Sequence, residues 1–166
     1  MDADAKKTAL RMIPYGIYVL TAESGNEVAA ATVNFVTQTS FNPPLIAVAV
    51  KADSGAYAVI GKAGAFALNV LGKGQQALAF TFFKPAERVG NSISGEPFSQ
   101  GKSGSPILSN AAAFVDCTLI DSVERGDHSV FVGEVIDAGV FREASGRADA
   151  ETLTLADLGP TVFYGG

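Results

Sequence analysis

Ala31-Thr32-Val33-Asn34-Phe35-Val36-Thr37-Gln38-Thr39-Ser40-Phe41-Asn42-Pro43-Pro44-Leu45-Ile46-Ala47-Val48-Ala49-Val50 is the stretch whose reading decides the fold. Three hydroxyls (Thr37, Thr39, Ser40) and two amides (Asn34, Gln38) fall within seven residues, between two apolar runs. This predicts a polar loop that carries one strand into the next and can wrap a polar ligand. Pro43-Pro44 keeps the loop from continuing as helix, because proline forces the residue before it into extended backbone. The chain must then straighten, and the run of Leu, Ile, Val and Ala after Pro44 reads as a strand buried on both faces.

Composition bounds the rest. With 166 residues, 48% of them hydrophobic and 17% charged, the chain is long enough for one compact domain spanning residues 1–166. Eighteen glycines and seven prolines favour many short strands and turns over long helices. No apolar run approaches the ~20 residues a bilayer span needs, and residues 1–7 lack the apolar core of a signal peptide. The expectation is a cytoplasmic protein with no membrane partner. A net charge of −5 argues against nucleic acid, which selects clustered Lys and Arg. The single cysteine, Cys117, lies in the apolar run Ala113-Phe114-Val115-Asp116-Cys117-Thr118-Leu119-Ile120 and reads as a core thiol.

Along the chain, residues 8–12 read as a short helix ended by Ile13-Pro14, and 16–22 and 28–34 as a hairpin about Gly25-Asn26. Residues 54–62 read as a helix capped by Asp53 or Ser54, 65–71 as a strand, and 75–83 as a second helix stopped by Lys84-Pro85. Residues 90–105, rich in glycine and serine and without periodicity, read as a surface excursion. Two long strands over 111–122 and 129–141 flank a turn at 123–128. Antiparallel strands with two or three short helices at the connections predict a mainly β fold, a closed or nearly closed barrel without exposed edges. Such a barrel has a narrow core, so a homodimer that covers residual apolar surface is also expected.

Four segments in register carry a resemblance that covers nearly the whole chain. They are Tyr15-Gly16-Ile17-Tyr18-Val19-Leu20-Thr21-Ala22, Thr32-Val33-Asn34 running into Ser40-Phe41-Asn42-Pro43-Pro44, Phe66-Ala67-Leu68-Asn69-Val70-Leu71, and Gly126-Asp127-His128 before Phe131-Val132-Gly133-Glu134-Val135. Together they resemble the flavin reductase-like family of FMN-binding split β-barrels, antiparallel and Greek-key-like. The resemblance implies a homodimer with FMN at the subunit interface and NAD(P)H as electron donor. It implies flavin contacts at Thr32, Asn34, Phe35, Val36 and Thr37, whose polar groups suit the ring's hydrogen-bonding edge.

For the phosphate it points to Lys51 and to Ser54, which opens a helix whose N-terminal amides favour an anion. Asp53 nearby departs from the family pattern and would weaken phosphate binding. Tyr57, one turn into that helix, is expected to pack beside the cofactor, and Thr81-Phe82 occupy the place where relatives often carry an Arg-Phe or similar pair touching flavin, with core packing as the other reading of Tyr57 and Phe82. His128, the only histidine, is expected to orient nicotinamide or stabilise reduced flavin, with Asp127 fixing its tautomer. No metal site is expected. The chain lacks G-x-G-x-x-G after a strand, so a nicotinamide donor would lie over the flavin and not on a Rossmann unit.

Two functions follow. One is an NAD(P)H:flavin (FMN) oxidoreductase that passes reduced flavin or electrons to a monooxygenase or electron-transfer protein. The alternative is a non-enzymatic FMN-binding electron-transfer module. A split barrel acting on a pyridoxine phosphate or a haem is disfavoured, because haem wants a stronger axial set than one histidine.

Overall fold

The computed structural model describes residues 1–166. Helix α1 (Ala3–Arg11) is followed by β1 (Tyr18–Ser24), β2 (Glu27–Val33), β3 (Val36–Phe41) and β4 (Pro44–Lys51). Next come α2 (Gly55–Ala63), β5 (Ala65–Val70) and α3 (Gln76–Thr81). Four short strands, β6 (Arg88–Val89), β7 (Ser92–Ile93), β8 (Glu96–Gln100) and β9 (Pro106–Leu108), precede the long hairpin of β10 (Ala113–Glu124) and β11 (His128–Val140).

The main sheet has seven strands in the order β2-β1-β5-β10-β11-β4-β3, and every pairing is antiparallel. Its two edges, β2 and β3, are consecutive in the chain and separated only by Asn34 and Phe35. One core cluster gathers Ala29 of β2, Leu20 of β1, Phe66 of β5, Cys117 of β10, Phe131 of β11 and Val48 of β4, with Val36 of β3 packed against it. Side chains from both edges can meet in one cluster only if the sheet curls, so this cluster is a barrel interior with a split between β2 and β3. Helix α2 contributes Ala56, Val59 and Ile60 to the same cluster.

Gly133 sits where the barrel wall is tight. A Cβ there would lie 2.6 Å from Phe66 Cζ and 2.8 Å from Cys117 Cβ, so only glycine lets the aromatic ring fill the interior. Cys117 is a fully buried free thiol, and burial pushes its pKa up to about 12, which leaves it inert, as expected for a core residue.

Strand alternation supplies a second core outside the barrel. Val19 and Ala30 point away from Leu20 and Ala29, and pack with Leu71, Leu78, Phe82 and Ile93 under α3 and the small sheet β6-β7-β8-β9. Four sequence expectations change here. Most of the predicted polar loop is strand β3, paired with β4 from Val36 opposite Val48 to Phe41 opposite Pro44. Thr37, Gln38 and Thr39 are all exposed, so both faces of this edge strand meet solvent along its middle, no apolar alternation is required, and the polar side chains blunt the edge. Residues 90–105 are not an unstructured excursion, because Gly90 and Gly95, both at positive φ, turn the chain through the small sheet and bury Ile93. Helix α3 is shorter than predicted, since Gln75 leaves the helix to accept from the Gly72 amide and donate to the Asn110 carbonyl. Helix α1 also begins earlier than predicted, capped by Asp2, whose carboxylate accepts from the Ala5 amide.

Candidate active site

Between the end of β2 and the end of β4 lies a cleft of about 350 Å³, within the range that holds small ligands. One wall is the end of β2, Ala31, Thr32, Val33 and Asn34. Its free edge is tied to α3, with the Thr32 amide donating to the Phe82 carbonyl at 3.1 Å and Thr32 Oγ1 to the Ala79 carbonyl at 2.6 Å. These bonds bring Phe82 and Phe83 to the cleft. The other wall is Ala49, Val50 and Lys51 at the end of β4, with Ser54 and Ala56 at the start of α2.

His128 faces Lys51 because the two are register partners between β11 and β4. The lining is therefore mostly apolar, with a cation and a helix N-terminus at one place and an imidazole opposite.

Ser54 adopts extended backbone, and its Oγ accepts from the Tyr57 amide at 3.2 Å, which caps α2. Lys51 Nζ lies 3.0 Å from Asp53 Oδ1, and this hydrogen bond raises the lysine pKa. The carboxylate that the sequence marks as unfavourable for an anion thus already holds the lysine. His128 is half-buried and held through both ring nitrogens. Its Nδ1 is 2.9 Å from Asp127 Oδ1 and its Nε2 is 2.8 Å from the Tyr164 hydroxyl. Phe35 meets the imidazole edge-on at 5.5 Å between centroids. The imidazole bond holds the Asp127 carboxyl below its ordinary pKa, while partial burial raises that of the Tyr164 phenol.

Of the residues singled out from sequence, Thr32, Asn34, Lys51, Ser54, Phe82 and His128 meet in this cleft. The other five do not line it. Phe35 stands behind His128, and Val36 packs into the barrel core. Thr37 is exposed on β3, where its hydroxyl donates to the Gln38 carbonyl. Tyr57 stacks on Phe131 and donates to Glu124 Oε1 at 2.7 Å, while Thr81 donates back to the Ala77 carbonyl within α3. The sequence reading missed Phe83 and Tyr164. An aromatic pair, Phe163-Tyr164, beside glycines was the only local signal for the second.

Residues 10–165 match the flavin reductase like domain. The chain belongs to that family. It is 31% identical over 146 residues to a flavin reductase of Pseudomonas putida, an alignment that covers 87% of this chain and 84% of the relative. It is 32% identical over 123 residues to the reductase component of a 4-nitrophenol 4-monooxygenase/4-nitrocatechol 2-monooxygenase from Rhodococcus opacus, covering 74% of this chain and 64% of that one. Among solved structures it resembles the NADH:FAD oxidoreductase SgcE6 of Streptomyces globisporus, at 31% identity and a TM-score of 0.68 over 78% of this chain and 77% of that chain. Two further curated relatives, 32–33% identical, are much longer, and the chain spans 42% of one and 26% of the other. No helix is long and apolar enough to cross a membrane.

Proposed function

We propose that this chain is an NAD(P)H:flavin oxidoreductase that holds FMN in the cleft between β2 and β4 and passes electrons to a partner oxygenase or electron-transfer protein in the cytoplasm. The observation that carries this reading is the cleft itself, apolar along its length, with Lys51 and the α2 N-terminus on one strand end and His128 across from them. When bound, the flavin would supply the redox chemistry, accepting a hydride from reduced nicotinamide.

The protein's part is to bind and orient. Alanine and valine walls accept a flat ring system without unpaired polar groups, and Asn34 adds an amide at the rim. The first amides of α2 lack intrahelical acceptors, and with Lys51 they suit a phosphate. His128 positions the donor, since hydride transfer between nicotinamide and flavin needs alignment and no protein proton.

Anaerobic stopped-flow mixing of FMN-loaded protein with NADH and with NADPH tests the reading. Bleaching of the flavin band is expected with at least one donor. A flavin that chemical reductants bleach and neither nucleotide does would instead support the electron-transfer module.

The phosphate assignment has its own check. FMN should bind at about one copy per subunit and more tightly than riboflavin, and Lys51→Ala should weaken FMN about fivefold while leaving riboflavin unchanged. Asp53 keeps this effect modest, because the lysine must be shared with it. Equal affinities for FMN and riboflavin in a titration of the unmodified protein would remove the phosphate from this place.

A homodimer with FMN at its interface is part of the same reading. Ile120, Val123 and Ile136 on β10 and β11 and Phe41 at the β3–β4 turn are exposed apolar side chains, a surface that a second copy would cover. Light scattering at micromolar concentration should give twice the chain mass, and a monomer that still binds FMN would count against it.

A further inference from the structure

The segment after Gly159 reaches the cleft at Tyr164 and is held there almost wholly by side chains. Within residues 160–166 a single backbone amide is bonded to backbone, Val162 to the Gly159 carbonyl. Asn34 Nδ2 donates to the Tyr164 carbonyl at 3.2 Å, and the Tyr164 ring lies 5.6 Å from that of Phe35. Farther out, the Arg11 guanidinium sits 4.2 Å over the Phe163 ring, and its Nε reaches the Gly165 carbonyl at 3.5 Å. Beneath the segment a small hollow of about 70 Å³, bordered by Thr32, Asn34, Phe83 and Tyr164, adjoins the cleft. Gly159, at φ 130°, is a backbone position open to glycine alone and stands where the segment leaves the body of the protein. Such a strap can part from the cleft without breaking a sheet.

Its contact with His128 has a definite polarity. The Asp127 carboxylate only accepts, so His128 Nδ1 carries the proton, and in that tautomer Nε2 is the acceptor for the Tyr164 hydroxyl. With the strap closed, both ring nitrogens of the sole histidine are spoken for. A nicotinamide carboxamide, whose NH₂ group donates, can use Nε2 only after Tyr164 has left it.

We propose that Tyr164 is a latch that competes with the electron donor for His128 Nε2, so that residues 160–166 form a strap the donor must displace. This rests on the reading of the cleft as a flavin and nicotinamide site. Tyr164 acts through His128 and is a positioning residue. Asp127 sets the tautomer, and the latch occupies Nε2 while the donor is away and sets donor affinity by the fraction of time the strap is open.

The test separates the latch from the function. Because His128 is the only histidine, long-range nitrogen-15 NMR of the histidine-labelled protein reads one imidazole. In the unmodified protein without donor the ring should show a protonated Nδ1 and a hydrogen-bonded Nε2. In Tyr164→Phe the Nε2 resonance should move toward that of an unbonded acceptor nitrogen while Nδ1 stays in place. Identical spectra would overturn the latch whatever the activity.

In steady-state kinetics at saturating flavin, Tyr164→Phe should lower KM for the nucleotide about threefold at unchanged kcat, the size expected for losing one competing hydrogen bond. Arg11→Ala, which frees Phe163 and Gly165 away from the cleft, should lower KM in the same direction. A raised KM in Tyr164→Phe would overturn the proposal, because Tyr164 would then aid the donor. Absence of turnover in the unmodified protein with either nucleotide would end the competition as well as the proposed function. The NMR shift would still say whether Tyr164 holds His128, and so which of the two ideas failed.

Discussion

Replacing Asn69 with alanine should destabilise the fold by about 3 kcal/mol, mostly as the penalty for buried backbone groups left without partners. Asn69 is fully buried in β5. Its Nδ2 donates to the Val19 carbonyl at 3.1 Å and to Thr21 Oγ1 at 3.0 Å, and its Oδ1 accepts from the Leu108 amide at 2.8 Å. Thr21 Oγ1 in turn donates to the Pro106 carbonyl at 2.5 Å. The amide is thus the bridge between barrel strands β1 and β5 and strand β9 of the small sheet. No water reaches this site to replace the lost bonds, and the small sheet covers the second core only while β9 stays docked. Thr21→Val, which removes one hydroxyl from the same network, should cost about 1 kcal/mol, and the two changes together should cost less than their sum. Urea unfolding followed by circular dichroism measures all three, and a loss below that of Thr21→Val in Asn69→Ala would show that the network does not hold β9.

The small sheet also shows why part of the fold was not legible. Its strands are two to five residues long, too short for any period to register. They are ordered from a distance. Arg88 and Gln100 both bond to the Glu23 carboxylate on β1, more than sixty residues away. Strand β3 escaped for a different reason, since an edge strand with Thr37, Gln38 and Thr39 facing solvent is chemically indistinguishable from a polar loop until β4 is beside it. What was legible was local. The β1–β2 hairpin announces itself by Gly25 at positive φ, α2 by its Ser54 cap, and β5 and the β10–β11 hairpin by their apolar runs.

The candidate site divides in the same way. Lys51, Ser54 and His128 were found because each follows or precedes a strong element whose end must lie at the barrel rim. Tyr57 follows Ala56 by one residue, a turn of about 100° about the helix axis, and so faces Phe131 while Ala56 faces the cleft. Thr81 spends its hydroxyl on the helix carbonyl four residues back, an option any threonine in a helix has. Tyr164 lies 130 residues from Asn34 in sequence, and the aromatic pair beside glycines does not say where it docks.

The imidazole is where these threads meet. His128→Ala should slow reduction of bound flavin by NAD(P)H on the order of tenfold, or ~1.4 kcal/mol, with FMN affinity unchanged. The loss is modest because one orienting contact among several is removed and no proton transfer depends on it. FMN affinity should hold because the lining that would meet the ring, from Ala31 to Val33 and Ala49 to Val50, is untouched. Single-turnover bleaching of the flavin band reads the rate directly, and an unchanged rate would make His128 a structural residue held between Asp127, Phe35 and Tyr164. The latch adds a sharper expectation. Tyr164→Phe lowers KM only because it frees His128 Nε2, so on the His128→Ala background the same substitution should leave KM where it is. If KM still falls there, Tyr164 obstructs the donor by its ring and not by its hydroxyl, and the contact with the imidazole is incidental.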